Sequence, residues 1–185
     1  MMTEISLNVL DVANNSIRAN ASLIEITVCV NSKLDVLTVT ITDNGCGMTQ
    51  EQISHVEDPF FTTRTTRKVG LGVPFFKFAA LSTGGSFQIS SEPGIGTKVV
   101  AVFGLSHIDR MPLGDMCSTI RTLITMNTQI DFLYIYEFNG NRFQLDTREF
   151  REILGDVPFQ VPEVSAYIKE YLEENQKEVD GGCIY

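Results

Sequence analysis

Hydrophobic side chains follow helical and then strand spacings along the first half of the chain. Over residues 4–19 they recur every three or four positions, which predicts an amphipathic helix. Over residues 22–30 and 34–42 they alternate with polar residues, which predicts an antiparallel hairpin that ends at Asp43. The same reasoning predicts three further elements: a helix over 72–82 and strands over 86–91 and 97–103.

From residue 105 onward the order of elements changes. Asn139-Gly140 separates two apolar segments and predicts a hairpin with a two-residue type I′ turn. The predicted elements are a helix over 112–126, strands over 130–138 and 142–145, and helices over 147–154 and 162–178. We therefore expect a first domain, residues 1–104, and a C-terminal α-β-β-α-α extension, residues 105–185. The extension either packs on the first domain to complete its core or forms a separate domain.

A long loop is predicted for residues 57–70. This segment has little periodicity, contains Pro59, and follows a short helix for which Thr49 is the predicted N-cap. Long loops inside a compact domain are usually lids or disordered segments. We therefore expect a mobile lid at this place in the chain.

The composition is that of a soluble globular protein with an acidic surface. Its 23 acidic and 14 basic residues give a net charge of -9, which disfavours broad binding to nucleic acid or to anionic membranes. No apolar run reaches the roughly 18 residues that span a bilayer, and Met1-Met2-Thr3-Glu4 has no feature of an export signal, so we expect a cytoplasmic protein. The four cysteines form no C-x-x-C pair, which favours reduced thiols over disulfides or a metal site.

Four short segments occur in a fixed order, and together they are far more specific than each is alone. They are Asp11-Val12-Ala13-Asn14-Asn15, Asp43-Asn44-Gly45-Cys46-Gly47-Met48, Gly70-Leu71-Gly72 and Gly94-Ile95-Gly96-Thr97. In this order they resemble the ATP site of the GHKL superfamily, which includes DNA gyrase B, heat-shock chaperones, histidine kinases and MutL. The likeness is greatest to the histidine-kinase branch, through Asp58-Pro59-Phe60-Phe61-Thr62-Thr63 and Ser91-Glu92-Pro93-Gly94-Ile95-Gly96-Thr97. It covers about residues 7–103.

The resemblance implies an α/β fold of the Bergerat type and two cofactors, ATP and Mg²⁺. The fold is a two-layer α/β sandwich with a mixed, mainly antiparallel sheet and the helices 4–19 and 72–82 on one face. The nucleotide would lie between these helices and the lid. The alternating strands with polar outer faces agree with such an arrangement.

Asp43 is the expected partner of adenine. A carboxylate at a strand end accepts a hydrogen bond from an exocyclic amine, and the resemblance assigns this role to Asp43. Gly45 and Gly47 would let the backbone approach the edge of the base without a side-chain clash. Thr97 resembles the family threonine that supports both the aspartate and adenine through hydrogen bonds.

Asn15 is the expected magnesium ligand, since Mg²⁺ prefers hard oxygen ligands and usually takes only one or two from protein. Asp11 lies one helical turn earlier, where gyrase-like and MutL-like members have a glutamate that activates water. The shorter aspartate either acts as a general base with less reach or holds a magnesium-bound water.

Phosphate contacts are expected from the lid and from the helix that follows it. Lys68 abuts Gly70-Leu71-Gly72, and a helix N-terminus with small residues is a favourable anion site. Arg64 and Arg67 belong to the same basic cluster. The resemblance adds four further nucleotide contacts: Asn14, Arg18, Met48 and Thr62.

The resemblance also leaves the biological role open. Histidine kinases have their phosphoacceptor histidine on a helix before the ATP domain, and neither His55 nor His107 lies in a matching context. We therefore expect a magnesium-ATP-binding protein that lacks its own phosphoacceptor domain and acts with a protein partner. It is either an ATPase or phosphotransferase with slow hydrolysis, or a non-catalytic regulatory module. A mismatch-repair or topoisomerase clamp is disfavoured by the acidic charge.

Overall fold

The computed structural model describes residues 3–56 and 72–183 of the chain. Within these ranges, no helix combines the length and the apolar character that a bilayer span needs. The elements are α1 (Ile5–Arg18), β1 (Leu23–Asn31), β2 (Val36–Asp43), α2 (Gln50–Val56), α3 (Gly72–Leu81), β3 (Ser86–Glu92), β4 (Gly96–Gly104), α4 (Met116–Met126), β5 (Asp131–Phe138), β6 (Asn141–Asp146), α5 (Thr147–Leu154) and α6 (Pro162–Asp180). The predicted lid, residues 57–70, lies outside the described residues.

All six described strands form one sheet, in the order β3-β4-β2-β1-β5-β6. Every neighbouring pair is antiparallel except β1 and β5, which are parallel. The predicted mixed, mainly antiparallel sheet is therefore confirmed, and with it the α/β sandwich.

The hairpin of β1 and β2 shows why the alternating sequence forms this sheet. Ile24 and Ile26 of β1 are buried, and their register partners across the hairpin are Asp43 and Ile41. The intervening residues Glu25 and Thr27 are half-exposed on the other face. Because side chains alternate between the faces, the last residue of β2, Asp43, points to the same side as the buried aliphatic residues.

The hydrophobic core lies between the sheet and a layer of helices. Helix α1 buries Ile5, Val9 and Val12, while Phe76 of α3 packs against Phe103 of β4 with a ring separation of 5.8 Å. Helix α4 packs on α1, and α6 packs on α4, β5 and β6. Both helices predicted to flank the site, α1 and α3, therefore cover the same face of the sheet.

The C-terminal part continues the same sheet. Strand β5 pairs with β1 over its whole length, and β6 forms the edge beyond it. Asn139 and Gly140 have positive φ angles of 50° and 92°, as the predicted type I′ turn requires. The division at residue 104 stays a prediction about domains, although the hydrogen-bonded sheet crosses it.

Helix α4 begins later than the hydrophobic pattern predicts, at Met116 instead of residue 112. The carbonyl groups of Pro112 and Leu113 accept hydrogen bonds from the first amides of α1, at 3.0 and 2.9 Å, so this segment is extended and caps α1. Asp115 then caps α4 by accepting a hydrogen bond from the Ser118 amide at 2.8 Å.

The predicted N-cap of the short helix α2 is confirmed. The Thr49 hydroxyl accepts a hydrogen bond from the Gln52 amide at 3.3 Å, and the Gln52 side chain accepts one from the Thr49 amide at 2.8 Å. These reciprocal bonds form a capping box, which fixes the start of α2 beside the end of the Asp43–Met48 loop.

Candidate functional site

A cavity of about 430 Å³ lies between α1, the ends of β2 and β4, and the start of α3. Its volume is in the range of small-molecule sites. Its lining combines apolar residues, Val12, Ile41, Val73, Ile89 and Val99, with polar ones, Asn15, Ser16, Asp43, Gln52 and Thr97. An apolar slot with a few convergent polar groups is what a flat heteroaromatic ligand requires.

Asp43 is the buried acid of this cavity and is 9% exposed. Its Oδ2 atom accepts a hydrogen bond from the Ser16 hydroxyl at 2.5 Å, and its Oδ1 atom accepts one from the Gly45 amide at 2.9 Å. With one donor on each oxygen, the carboxylate is held in a single orientation, and its remaining lone pairs are available to a ligand.

Ser16 is a residue of the candidate site that the sequence analysis missed. It is 4% exposed on the core side of α1, and it lines the cavity next to Asn15. The signal lay in its position, because Ser16 falls on the apolar face of an amphipathic helix, where a hydroxyl needs a buried partner.

Thr97 lies opposite Asp43 in the register of β2 and β4 and lines the cavity. Its hydroxyl is 2.8 Å from the Ser91 hydroxyl, which in turn donates to the Gly96 carbonyl at 2.7 Å. Among the hydrogen bonds of the described residues, the group that supports Asp43 from a neighbouring element is therefore Ser16. The sequence analysis had expected Thr97 in this role.

Close packing within the protein explains why glycines follow Asp43. Gly47 has a φ angle of 65°, and a Cβ atom on it would lie 1.9 Å from the Glu92 carbonyl oxygen. A Cβ atom on Gly45 would lie 2.8 Å from the Cβ atom of Ala19. Both glycines thus let the loop pack against neighbouring backbone, a role different from the predicted approach to a base edge, which stays a prediction.

The rest of the loop is fixed by hydrogen bonds on either side of the cavity. The Met48 amide donates to the Ser91 hydroxyl at 2.8 Å, the Cys46 amide donates to the Ala19 carbonyl at 2.9 Å, and the Cys46 carbonyl accepts from the Gly94 amide at 2.8 Å. Met48, Cys46 and Gly47 all line the cavity. The loop is therefore a rigid wall joined to α1 and to the β3–β4 turn.

The polar side of α1 faces the cavity and the start of α3. Asn15 lines the cavity, and its Oδ1 atom accepts a hydrogen bond from the exposed Arg18 side chain at 3.3 Å. Asp11 lies against α3, since a Cβ atom on Gly72 would come within 2.1 Å of Asp11 Oδ2. Asn14 is half-buried on the same helix and, unlike Asn15, is not one of the residues that line the cavity.

The structure brings together seven of the predicted ligand contacts. They are Asn15, Arg18, Asp43, Gly47, Met48, Gly72 and Thr97. Thr62, Lys68, Gly70 and Leu71 lie outside the described residues, as do Arg64 and Arg67. In residues 3–56 and 72–183, no group of three or more His, Cys, Asp or Glu side chains is placed to hold a metal ion.

The chain belongs to the family of histidine kinase-, DNA gyrase B- and HSP90-like ATPases, which matches residues 3–107. The family predicted from the four segments is therefore confirmed, and the domain is of the histidine-kinase-like ATP-binding kind.

Relatives with sensor-kinase names match the same half of the chain. A putative sensor protein from Shewanella frigidimarina is 31% identical over 107 residues, which are 57% of this chain and 16% of that protein. Sporulation kinase D from Bacillus subtilis is 31% identical over 53% of this chain and 19% of its own length. Sensor protein kinase FleS from Pseudomonas aeruginosa is 34% identical over 52% of this chain and 24% of its own length. The chain thus spans less than a quarter of these relatives.

A solved structure extends the likeness of fold beyond the family segment. The crystal structure of the N-terminal domain of a DNA repair protein superposes with a TM-score of 0.54 and 16% identity. The match covers 78% of this chain and 53% of that chain. It includes more of this chain than the sensor-kinase relatives do, and at this identity it concerns the fold alone.

Proposed function

We propose that this protein binds magnesium-ATP in the cavity between α1 and the sheet and uses it to act on a protein partner. The observation that supports this most is the buried Asp43 carboxylate, held by Ser16 and Gly45 at the end of an apolar slot. A fixed acceptor in a dry site selects a ligand that has a donor at the matching position.

The exocyclic amine of adenine is such a donor. Guanine has an oxygen at the corresponding ring position, and two acceptors facing each other in a buried site would be left without hydrogen bonds. Ser16 donates its proton to Asp43, so its own oxygen can accept a second hydrogen bond from the same amine. The purine ring would contact apolar lining residues such as Val12, Ile41 and Val99.

The residues present also fit a magnesium ion. Magnesium usually takes one or two oxygens from protein and the rest from phosphate and water, so the Asn15 amide oxygen beside the cavity is a sufficient protein ligand. Binding the metal would require that oxygen to leave the Arg18 side chain. The freed guanidinium would then be available to phosphate oxygens.

The position of Asp11 favours slow hydrolysis. Its carboxylate packs against Gly72 at the N-terminus of α3, and a general base must come within hydrogen-bond reach of the water that it activates. Asp11→Glu should raise ATP turnover because it extends that reach, and Asp11→Asn should lower it without abolishing binding. If Asp11→Asn instead weakens magnesium-ATP binding itself, the residue orders the metal, and the alternative of a non-catalytic regulatory module gains support.

Calorimetry with ATP and GTP, with and without Mg²⁺, tests the site. Asp43→Asn and Asn15→Ala should each weaken ATP binding by about 10- to 100-fold, since a hydrogen bond to a charged group contributes roughly 1.5–3 kcal/mol. Asp109→Asn, an exposed acid far along the chain, is the matched control. Equal ATP affinity for the parent and both site variants would contradict the assignment.

The partner is proposed to be a protein in the cytoplasm. The names of two relatives, a putative sensor protein and sporulation kinase D, support a protein partner. The net negative charge of this chain argues against nucleic acid. A radiolabelled-ATP assay with candidate neighbouring proteins would detect transfer to a partner. Nucleotide-dependent binding without transfer would favour the regulatory alternative.

A further inference from the structure

Three aromatic rings form a cluster where α5 meets α6, in which Phe150 and Tyr171 are half-buried against the core and Tyr167 is exposed. Phe150 of α5 lies 5.4 Å from the ring of Tyr171 and 6.2 Å from the ring of Tyr167, and the two tyrosine rings are 6.4 Å apart. Tyr167 is 56% exposed, and Ile153, one turn along α5 from Phe150, is 83% exposed. We call these four residues the aromatic face. Tyr167 and Ile153 are thus large side chains left exposed beside two half-buried rings, on a helix pair that packs on the core.

Unpaired carboxylates surround the aromatic face. Glu163 and Glu170 lie one turn on either side of Tyr167, and Glu174 lies one turn beyond Tyr171. Burial raises the pKa of Tyr171, and the charges of Tyr167 and then Glu149 add to the increase, so the Glu149 carboxylate is also close. The side chains of all four glutamates are in exposed positions.

Three of the four cations in residues 147–180 have an acidic partner, Lys177 being the fourth. Arg148 pairs with Asp146 at 2.6 Å, Arg151 pairs with Asp131 at 3.1 Å, and Lys169 pairs with Glu173 at 3.5 Å. Within the described part of the chain, no ion pair forms at the four glutamates around the rings. Residues 147–180 contain nine acidic and four basic residues, so the field at this surface is negative.

Aromatic rings beside free carboxylates form a binding surface of definite chemistry. A guanidinium group stacks on tyrosine rings and donates two parallel hydrogen bonds to a carboxylate, while the aliphatic part of its side chain packs on apolar residues such as Ile153. We propose that the aromatic face docks an arginine-bearing segment of a partner protein. Nucleic acid and anionic membranes are repelled by the same carboxylates.

The aromatic face lies apart from the nucleotide cavity. The Tyr171 hydroxyl donates to the carbonyl of Gln144 in β6, the edge strand, whereas the cavity lies at β2 and β4. Both sites can therefore be occupied at once, and the docking proposal does not depend on ATP binding. An arginine-bearing partner held here would leave the cavity open.

Fluorescence anisotropy with labelled octa-arginine and octa-lysine peptides, using the full chain at moderate salt, tests the proposal. Octa-arginine should bind more tightly than octa-lysine, because only arginine both stacks and forms two hydrogen bonds. Tyr167→Ala should weaken octa-arginine binding about fivefold, and Tyr167→Phe should preserve it. The triple variant Glu163→Gln, Glu170→Gln and Glu174→Gln should weaken it about tenfold or more.

A matched triple variant controls for general charge. Glu51→Gln, Glu92→Gln and Asp109→Asn remove the same charge from exposed positions elsewhere and should leave the affinity within about twofold. An equal loss in both triple variants, or equal binding of both peptides with no effect of Tyr167→Ala, would overturn the proposal. So would concentration-dependent self-association that the first triple variant abolishes, since the occupant would then be a second copy of this chain.

Discussion

At the scale of single residues, the hydrogen bond between Ser16 and Asp43 links the helix layer to the sheet at the cavity. It joins residues 27 positions apart, and both groups are buried. Because a buried acceptor that loses its donor costs free energy, Ser16 contributes to stability and to the orientation of the carboxylate at the same time.

Ser16→Ala should therefore weaken ATP binding by about tenfold and lower the free energy of unfolding by roughly 1–3 kcal/mol. Ser90→Ala, an exposed serine on β3, is the control and should change neither quantity. Calorimetric titration beside urea unfolding checks both effects. A variant that loses stability but binds ATP like the parent would show that Ser16 is only structural.

A second residue-scale feature is the cap of α5. The Asp146 carboxylate accepts hydrogen bonds from the Arg148 amide at 2.9 Å and from its guanidinium at 2.6 Å. The side-chain hydrogen bond from Arg148 is the largest cause that lowers the pKa of Asp146 below its ordinary value of 3.8. The acid is thus stabilised in its charged form in the folded state.

The sign of the pH effect follows from that lowered pKa. Asp146 contributes stability above its unfolded pKa and loses it as the pH falls through the folded one. Asp146→Asn keeps an N-cap residue but removes the charge, so it should destabilise the protein at pH 6 and have progressively less effect below pH 4. Urea unfolding across this range checks the prediction; a difference between the two proteins that does not change with pH would contradict it.

At the scale of elements, sequence patterns predicted the helices, strands and turns that are determined by residues close together in the sequence. The hairpin of β1 and β2 follows from alternation, and the turn at Asn139-Gly140 follows from the backbone angles that these two residues adopt easily. The predicted start of α4 was wrong because the carbonyls of Pro112 and Leu113 accept hydrogen bonds from amides of α1, which is distant in the sequence. Helical spacing alone cannot include such a partner.

The same distinction separates the site residues that the sequence predicted from those that it did not. The cavity positions of Asp43, Asn15 and Thr97 were predicted because their segments resemble a known family. Ser16 was missed because its importance comes from a hydrogen bond to another element, and the glycines were given a ligand-based reason because the packing of Gly47 on Glu92 is not visible in the sequence.

At the scale of the whole molecule, β1 is shared by both halves of the chain. It pairs with β2 on one side and with β5 on the other, and Asn139 in the β5–β6 turn accepts a hydrogen bond from the Ser32 amide at 2.9 Å. The sheet order β3-β4-β2-β1-β5-β6 therefore makes β1 an edge if the C-terminal part is removed.

A fragment of residues 1–107 tests the division at residue 104. It would expose the edge of β1 and would lose the buried side chains of Phe132, Tyr134 and Tyr136, so we expect aggregation or a large loss of stability compared with the full chain. Circular dichroism and thermal unfolding of both proteins in one buffer are the measurements. A fragment that unfolds cooperatively near the temperature of the full chain would support a separate first domain.

The parallel pairing of β1 with β5 also has a consequence for synthesis on the ribosome. Leu23 opposes Asp131, so β1 leaves the exit tunnel long before its partner has been made. At 5–20 residues per second, the interval is roughly 5 to 20 s, during which the alternating Ile and Val residues of β1 have a free strand edge. During this period the free edge of β1 can pair with a strand of another chain, so a chaperone that covers the edge, or faster translation of β5, would favour the native sheet.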